Sequence, residues 1–167
     1  MKHYPLAVIL YLASCGLGTD VQPSLVQLLQ MKDRERKPYL VEFPVIGEPS
    51  VGFISIAEKA GVLPFDCKRV FWIYNTPESI LRGRHAHYAT EQIIIAVTGR
   101  ILVTTELASG EIQVFVLESP QSGVYVPPNV WHTMQYSSNA IQLVLASTAF
   151  EEADYIRDYA MFKQVWN

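Results

Sequence analysis

The chain has 167 residues, of which 50% are hydrophobic, 11% aromatic and 17% charged. That is enough apolar side chain for one packed domain of ordinary size, and it excludes a disordered or collagen-like chain. Thirteen Lys plus Arg against 16 Asp plus Glu leave a net charge of −3, so the whole chain lacks the basic footprint that nucleic acid or anionic lipid requires. Two cysteines, Cys15 and Cys67, are too few for a disulfide framework or a cysteine zinc site, and a cytoplasmic protein is expected.

Residues 4–19 carry no charge, but the stretch is shorter than the about 20 apolar residues of a membrane span. Lys2 followed by Leu6-Ala7-Val8-Ile9-Leu10-Tyr11-Leu12 has the form of a short export signal, and Leu12-Ala13-Ser14-Cys15 resembles a lipobox. An exported lipoprotein anchored through Cys15 is therefore the alternative location. The plainer reading is an apolar segment that docks on the domain or on a second subunit. Residues 20–31 follow as an amphipathic helix, with Pro23 in its first turn and Leu25, Leu28 and Leu29 on one face. Six consecutive charged residues, Lys32-Asp33-Arg34-Glu35-Arg36-Lys37, then form a solvated connector. The boundary falls there, between an N-terminal extension over 1–37 and a domain over 38–167.

From Tyr39 to Ser147 short β-rich runs alternate with Gly, Pro, Asn and Ser. The strands are expected at 39–43, 52–57, 68–74, 92–97, 100–107, 112–117, 123–126, 132–136 and 141–146. Thr98-Gly99 and Ala108-Ser109-Gly110 serve as hairpin turns. Strands at this spacing, with no helical pattern between them, predict an all-β antiparallel sandwich or barrel. Thr148-Ala149-Phe150-Glu151 has the form of a capping box, and Ala153, Ile156 and Tyr159 recur at helical spacing, which predicts a C-terminal helix over 151–161.

The chemistry concentrates in histidine. His85 and His87 flank Ala86, so on an extended strand both imidazoles enter one face. A third, His132, follows Pro127-Pro128-Asn129-Val130-Trp131. The two motifs together resemble those of the cupin (jelly-roll) β-barrel. Counting back from Gly99 puts Gln92, not Glu91, at the third ligand position of the first motif. Asn129 replaces the turn glycine of the second, and Asn tolerates the left-handed conformation best after Gly. A neutral amide is a weaker partner for a divalent cation than a carboxylate, which favours a metal-free site using His as acid and base.

A longer series of residues is more specific. Leu63-Pro64-Phe65, Lys68-Arg69-Val70-Phe71-Trp72-Ile73-Tyr74, Arg82-Gly83-Arg84-His85-Ala86-His87, Gln92, Gly123-Val124-Tyr125-Val126-Pro127-Pro128, Val130-Trp131-His132 and Asp154-Tyr155-Ile156-Arg157-Asp158-Tyr159 occur in this order. The series resembles the WxcM-like cupins, the dTDP-4-oxo-6-deoxyglucose 3,4-oxoisomerases. The resemblance covers about residues 38–163. It implies a metal-independent isomerase without cofactor, usually a homodimer, acting on a dTDP-linked 4-keto-6-deoxy sugar. The product would feed an aminotransferase in making a 3-amino-3,6-dideoxyhexose for surface polysaccharide such as O-antigen, or for a natural product. Val51-Gly52 stands where the family carries Arg-Gly, which leaves the substrate open, and Arg84 stands where an uncharged residue is usual.

Moving a ketone to the neighbouring carbon takes a proton from C-3 and delivers one to C-4. His has the unperturbed pKa for that work. His87 is the first choice as base, with His85 as its partner. Arg82 is a candidate for the oxyanion or the diphosphate, or a salt bridge at a strand end. Tyr74 is a candidate phenolic donor or a core aromatic, and Gln92 a partner for His or a sugar hydroxyl. Tyr125 and His132 are expected at the cavity mouth. The competing functions are a metal-dependent cupin oxygenase and a non-catalytic sugar-binding cupin.

Overall fold

The computed structural model describes residues 37–59 and 61–164. The apolar segment with Cys15, the helix expected at 20–31 and most of the charged connector lie outside the described residues. Among the described residues twelve strands run in chain order: β1 (Tyr39–Glu42), β2 (Val45–Glu48), β3 (Gly52–Ser55), β4 (Arg69–Ile73), β5 (Arg82–His87), β6 (Gln92–Thr98), β7 (Ile101–Glu106), β8 (Ile112–Leu117), β9 (Ser122–Val126), β10 (Trp131–Tyr136), β11 (Ile141–Ala146) and β12 (Tyr155–Ile156). A 3₁₀ turn at Glu152–Asp154 precedes β12, and a helix α1 (Tyr159–Gln164) follows it.

The strands build two antiparallel five-stranded sheets, ordered β1-β9-β6-β11-β4 and β12-β5-β10-β7-β8, with β2 and β3 as a separate hairpin. The result is the all-β cupin-type jelly roll with a short C-terminal helix that the motifs implied. Alternation decides which side chains fill it. Ile94 and Ala96 of β6, Ile101 and Val103 of β7, Val124 and Val126 of β9, Met134 and Tyr136 of β10 and Val144 of β11 meet between the sheets. The opposite face of the first sheet is buried as well. Ile93, Ile95, Tyr125 and Leu145 pack beneath Leu63 and Phe65 from the connection before β4. Each such aliphatic side chain contributes about 1.5–3 kcal/mol when fully buried.

Two local features depart from expectation. The C-terminal helix predicted over 151–161 is broken into the 3₁₀ turn, β12 and the shorter α1. Tertiary pairing overrides the helical spacing here: Tyr155 and Ile156 pair with His87 and Ala86 of β5, and Ile156 is buried against Ala86 and Phe162. The second departure lies in β5. His132 of β10 faces His85, yet Thr133 faces Gly83 and Met134 faces Arg82, so Arg84 is an unpaired extra residue. Gly83 (φ 82°) and Arg84 (φ 58°) both adopt left-handed backbone, as a β-bulge requires. A Cβ on Gly83 would lie 2.6 Å from the His132 carbonyl oxygen, which explains the glycine.

Candidate active site

His85 and His87 end β5, His132 lies at the start of β10, and Gln92 opens β6 on the facing sheet. All four therefore meet at one end of the barrel, between its two sheets. The strand pairing sets the geometry. His85 stands opposite His132, with ring centres 4.6 Å apart, and His85 and His87 are 5.0 Å apart and edge-on. One nitrogen from each of the three imidazoles falls within 4.8 Å of the others. His87 and His132 are buried, whereas His85 is half-buried. The tight turn before β10 uses Asn129 in left-handed conformation (φ 58°), and its N–H donates to the His87 carbonyl at 2.6 Å.

Both nitrogens of His87 have partners. Nδ1 lies 2.9 Å from Asp154 Oδ2, and Nε2 lies 3.0 Å from Gln92 Nε2. With Asp154 ionised, the consistent assignment is that Nδ1–H donates to the carboxylate and Nε2 accepts from the amide. Asp154 is itself held: Oδ1 accepts the Ala89 N–H at 2.7 Å, and Oδ2 accepts the Thr90 hydroxyl, which contacts the Thr148 hydroxyl at 2.6 Å. Tyr155 closes one side, its ring centre 4.3 Å from that of His87 and 5.0 Å from that of His85.

Burial dominates the electrostatics. Together with the neighbouring His85 it pushes His87 down to about 4, although the Asp154 hydrogen bond pulls the other way. Burial also lowers His85, and it holds the fully enclosed His132 well below the ordinary value. Burial works to raise the Asp154 carboxyl, but hydrogen bonds from Thr90, Ala89 and His87 outweigh it and keep the group below the usual carboxylate range. Near neutral pH the site thus holds three uncharged imidazoles beside one carboxylate.

The structure brings His85, His87, His132 and Gln92 together. His132 stands deeper than the mouth position expected for it, being 1% exposed. Arg82 is exposed, and its pairing with Met134 puts it on the imidazole face of β5. Two tyrosines are placed elsewhere. Tyr125 pairs with Ile93 and is buried in the layer outside the first sheet, where its hydroxyl donates to Glu91 at 2.6 Å. Tyr74 is 59% exposed, beyond the end of β4, and is neither a core aromatic nor a neighbour of the imidazoles. Sequence reasoning missed Asp154 and Tyr155, which lay in a segment read as helix.

The donor set fits a divalent cation poorly. Three neutral imidazoles suit first-row metals, but the position for a carboxylate is occupied by Gln92, whose amide nitrogen already faces His87 Nε2. A metal would have to displace that hydrogen bond, although the Asp154 contact to the other nitrogen is of the kind that supports a ligating imidazole.

The family model described as FdtA, WxcM-like, C-terminal matches residues 36–167. The TDP-4-oxo-6-deoxy-alpha-D-glucose-3,4-oxoisomerase of Aneurinibacillus thermoaerophilus is 37% identical over 126 residues, covering 75% of this chain and 89% of that protein. The sugar 3,4-ketoisomerase QdtA from Thermoanaerobacterium thermosaccharolyticum, solved in complex with TDP, matches with a TM-score of 0.72 and 31% identity over 76% of this chain and 92% of that one. A His-to-Asn variant of QdtA in complex with TDP-4-keto-6-deoxyglucose matches with a TM-score of 0.72 and 30% identity over 76% of this chain and 91% of that one. The barrel, its paired histidines and a match from residue 36 to the last residue lead to one assignment: the chain belongs to the WxcM-like family.

Proposed function

We propose that the protein is a nucleotide-sugar 3,4-ketoisomerase that converts a TDP-linked 4-keto-6-deoxyhexose into its 3-keto isomer. The observation that carries the reading is the His87–Asp154 pair standing among three neutral imidazoles in a barrel of this family. The named activities and bound ligands of the relatives support the substrate class.

The reaction is redox-neutral. A base removes the proton from C-3, the electrons of that C–H bond form the C-3/C-4 double bond, and the C-4 carbonyl oxygen becomes an enediolate. The proton of the C-3 hydroxyl passes to the C-4 oxygen, a proton arrives at C-4, and the ketone stands at C-3 with a hydroxyl at C-4. Every hydrogen is moved as a proton, so the chemistry calls for no external oxidant or cofactor.

His87 suits the role of base. Its depressed pKa keeps it unprotonated at neutral pH, and Asp154 fixes Nδ1 as the protonated nitrogen, leaving the lone pair on Nε2. When His87 takes the proton, the adjacent carboxylate stabilises the imidazolium. The substrate must displace Gln92 from Nε2, which leaves the amide beside the developing oxyanion. His85, nearer to solvent, carries protons between the two sugar oxygens. We also infer a homodimer. All eight residues of the β2–β3 hairpin are exposed, Ile46, Phe53 and Ile54 among them, and Trp72 and Tyr74 lie bare at the β4 edge. A second copy is the natural cover for so much apolar surface. A cytoplasmic location follows from the nucleotide-linked substrate, and the 3-keto product is the class of compound an aminotransferase consumes.

The test is exchange in deuterium oxide. Incubation with TDP-4-keto-6-deoxyglucose in the presence of a chelator is expected to place deuterium on the ring and yield the 3-keto isomer, with His87→Asn losing both. Ligand binding without ring exchange would favour the sugar-binding reading, and exchange abolished by the chelator would favour a metal enzyme.

A further inference from the structure

We propose, resting on the isomerase reading above, that Thr90 is a positioning residue for the reaction: its hydroxyl, oriented by that of Thr148, fixes the Asp154 carboxylate against His87 and holds its charge in place.

Thr90 lies in the connection between β5 and β6, Thr148 just after β11 and Asp154 just before β12. Three stretches distant in the chain thus meet behind the imidazole. Among the described residues the donors to the carboxylate are the Ala89 N–H on Oδ1 and, on Oδ2, the Thr90 hydroxyl and His87 Nδ1. An ionised carboxylate only accepts, so the Thr90 proton is committed to Oδ2. The 2.6 Å contact between the two hydroxyls then has one polarity: Thr148 donates and the Thr90 oxygen accepts. The series runs from Thr148 through Thr90 to Asp154, and each bond in it strengthens the next. Thr90 is 2% exposed, so its hydroxyl is part of the packed interior and not a solvated group.

Holding the loops together does not require these hydroxyls. The Ser147 N–H donates to the Glu91 carbonyl at 3.0 Å, the Glu91 N–H to Ser147 Oγ at 2.9 Å, and the Tyr88 N–H to the Asp154 carbonyl at 2.9 Å. These bonds already stitch the three stretches together. What the hydroxyl pair adds falls on one oxygen, the one that His87 uses. Burial works to raise the Asp154 carboxyl, and among the groups that oppose it the Thr90 hydroxyl comes first. The charge on Asp154 is needed most when His87 holds the substrate proton, so Thr90 preserves the counter-charge and keeps Oδ2 in line with Nδ1. The other groups about the pair are His85, His132 and Tyr155, with Arg69 acting on His87 from β4, while Arg157 is engaged by both carboxylate oxygens of Glu152. Among the described residues none of these five bonds to Oδ2.

Three variants of the full chain test the role, through kcat against pH, TDP titration and histidine-ring NMR. Thr90→Val keeps the shape and removes the hydroxyl. With a donor gone from the carboxylate, the His87–Asp154 pair as a whole holds a proton more tightly. The acid limb is therefore expected to move up by roughly 0.5–1 pH unit, opposite in sense to the shift expected for Asp154→Asn. At the pH optimum kcat is expected to fall roughly 3–30-fold, short of the about 100-fold loss that a 1 Å misplacement brings, with KM and TDP affinity unchanged. Thr90→Ser restores the hydroxyl and is expected to recover both limb and rate. Thr148→Val removes the orienting donor and is expected to give a smaller shift in the same direction; it decides the matter should Thr90→Val fail to fold. An unmoved or lowered acid limb, a loss that Thr90→Ser does not recover, or a rise in KM with kcat intact overturns the proposal. The ring titration of His87, identified by its disappearance in His87→Asn, reads the same pair without substrate. Absence of isomerisation in the wild type overturns the isomerase reading, whereas an unmoved ring titration in Thr90→Val overturns the role of Thr90.

Discussion

The neutral imidazole of His87 makes the stability of the fold depend on pH in a calculable window. Its side chain is 2% exposed and its pKa is pushed from an ordinary 6.5 down to about 4. Between those values the unfolded chain binds a proton at this ring that the folded chain does not. Stability is therefore lost as pH falls from 6.5 toward about 4, and the loss levels off below. Integrating the linkage from pH 7 to pH 5 gives about 2 kcal/mol for this one residue. His85 and His132 are shifted in the same direction and add to the loss. Asp154, held below the usual carboxylate range, contributes stability that is lost only under more acidic conditions, so it does not blur the window. The assay is urea unfolding at pH 7 and pH 5, at one fixed protein concentration, for the wild type and His87→Asn. The wild type is expected to lose about 2 kcal/mol more than the variant over that interval, equivalent to a drop in Tm of roughly 4–8 °C. Equal slopes in the two proteins would refute the placement of a buried, unprotonated His87.

Two further outcomes follow from the same geometry. Asp154→Asn removes the charge that raises the basicity of His87, so the acid limb of the kcat profile is expected to move to lower pH while kcat falls on the order of 10²-fold; a fall in kcat with an unmoved acid limb would mean that Asp154 serves only to hold the loop. Sedimentation at micromolar concentration is expected to give a dimer, and a monomer would mean that another surface covers the β2–β3 hairpin and the Trp72–Tyr74 edge.

What the sequence revealed and what it hid divide along a physical line. His85, His87 and Gln92 were legible because their relations are local: a spacing of two on a strand and a count back from Gly99. Asn129 was legible because few residues take its backbone conformation. Asp154 and Tyr155 were hidden because Ala153, Ile156 and Tyr159 mimic a helical period, whereas Ile156 is buried by strand pairing and Tyr159 is 46% exposed. Tyr125 shows the remaining difficulty. Alternation separates two faces of a strand, but in a sheet covered on both sides it does not say which of them looks into the barrel.

The inserted Arg84 has a consequence for the parity of β5. With continuous pairing from His85 opposite His132, Gly83 would meet Met134, and Arg82 would meet Gln135 and point away from the imidazoles. The additional backbone unit flips the phase, so a cation and two rings an odd number of positions apart project toward the same interior. Excising that unit would turn Arg82 inside out and disturb the hydrogen bond between His85 and the Gly83 backbone, which makes the length of this short strand, as much as its composition, a determinant of the charge that the interior presents.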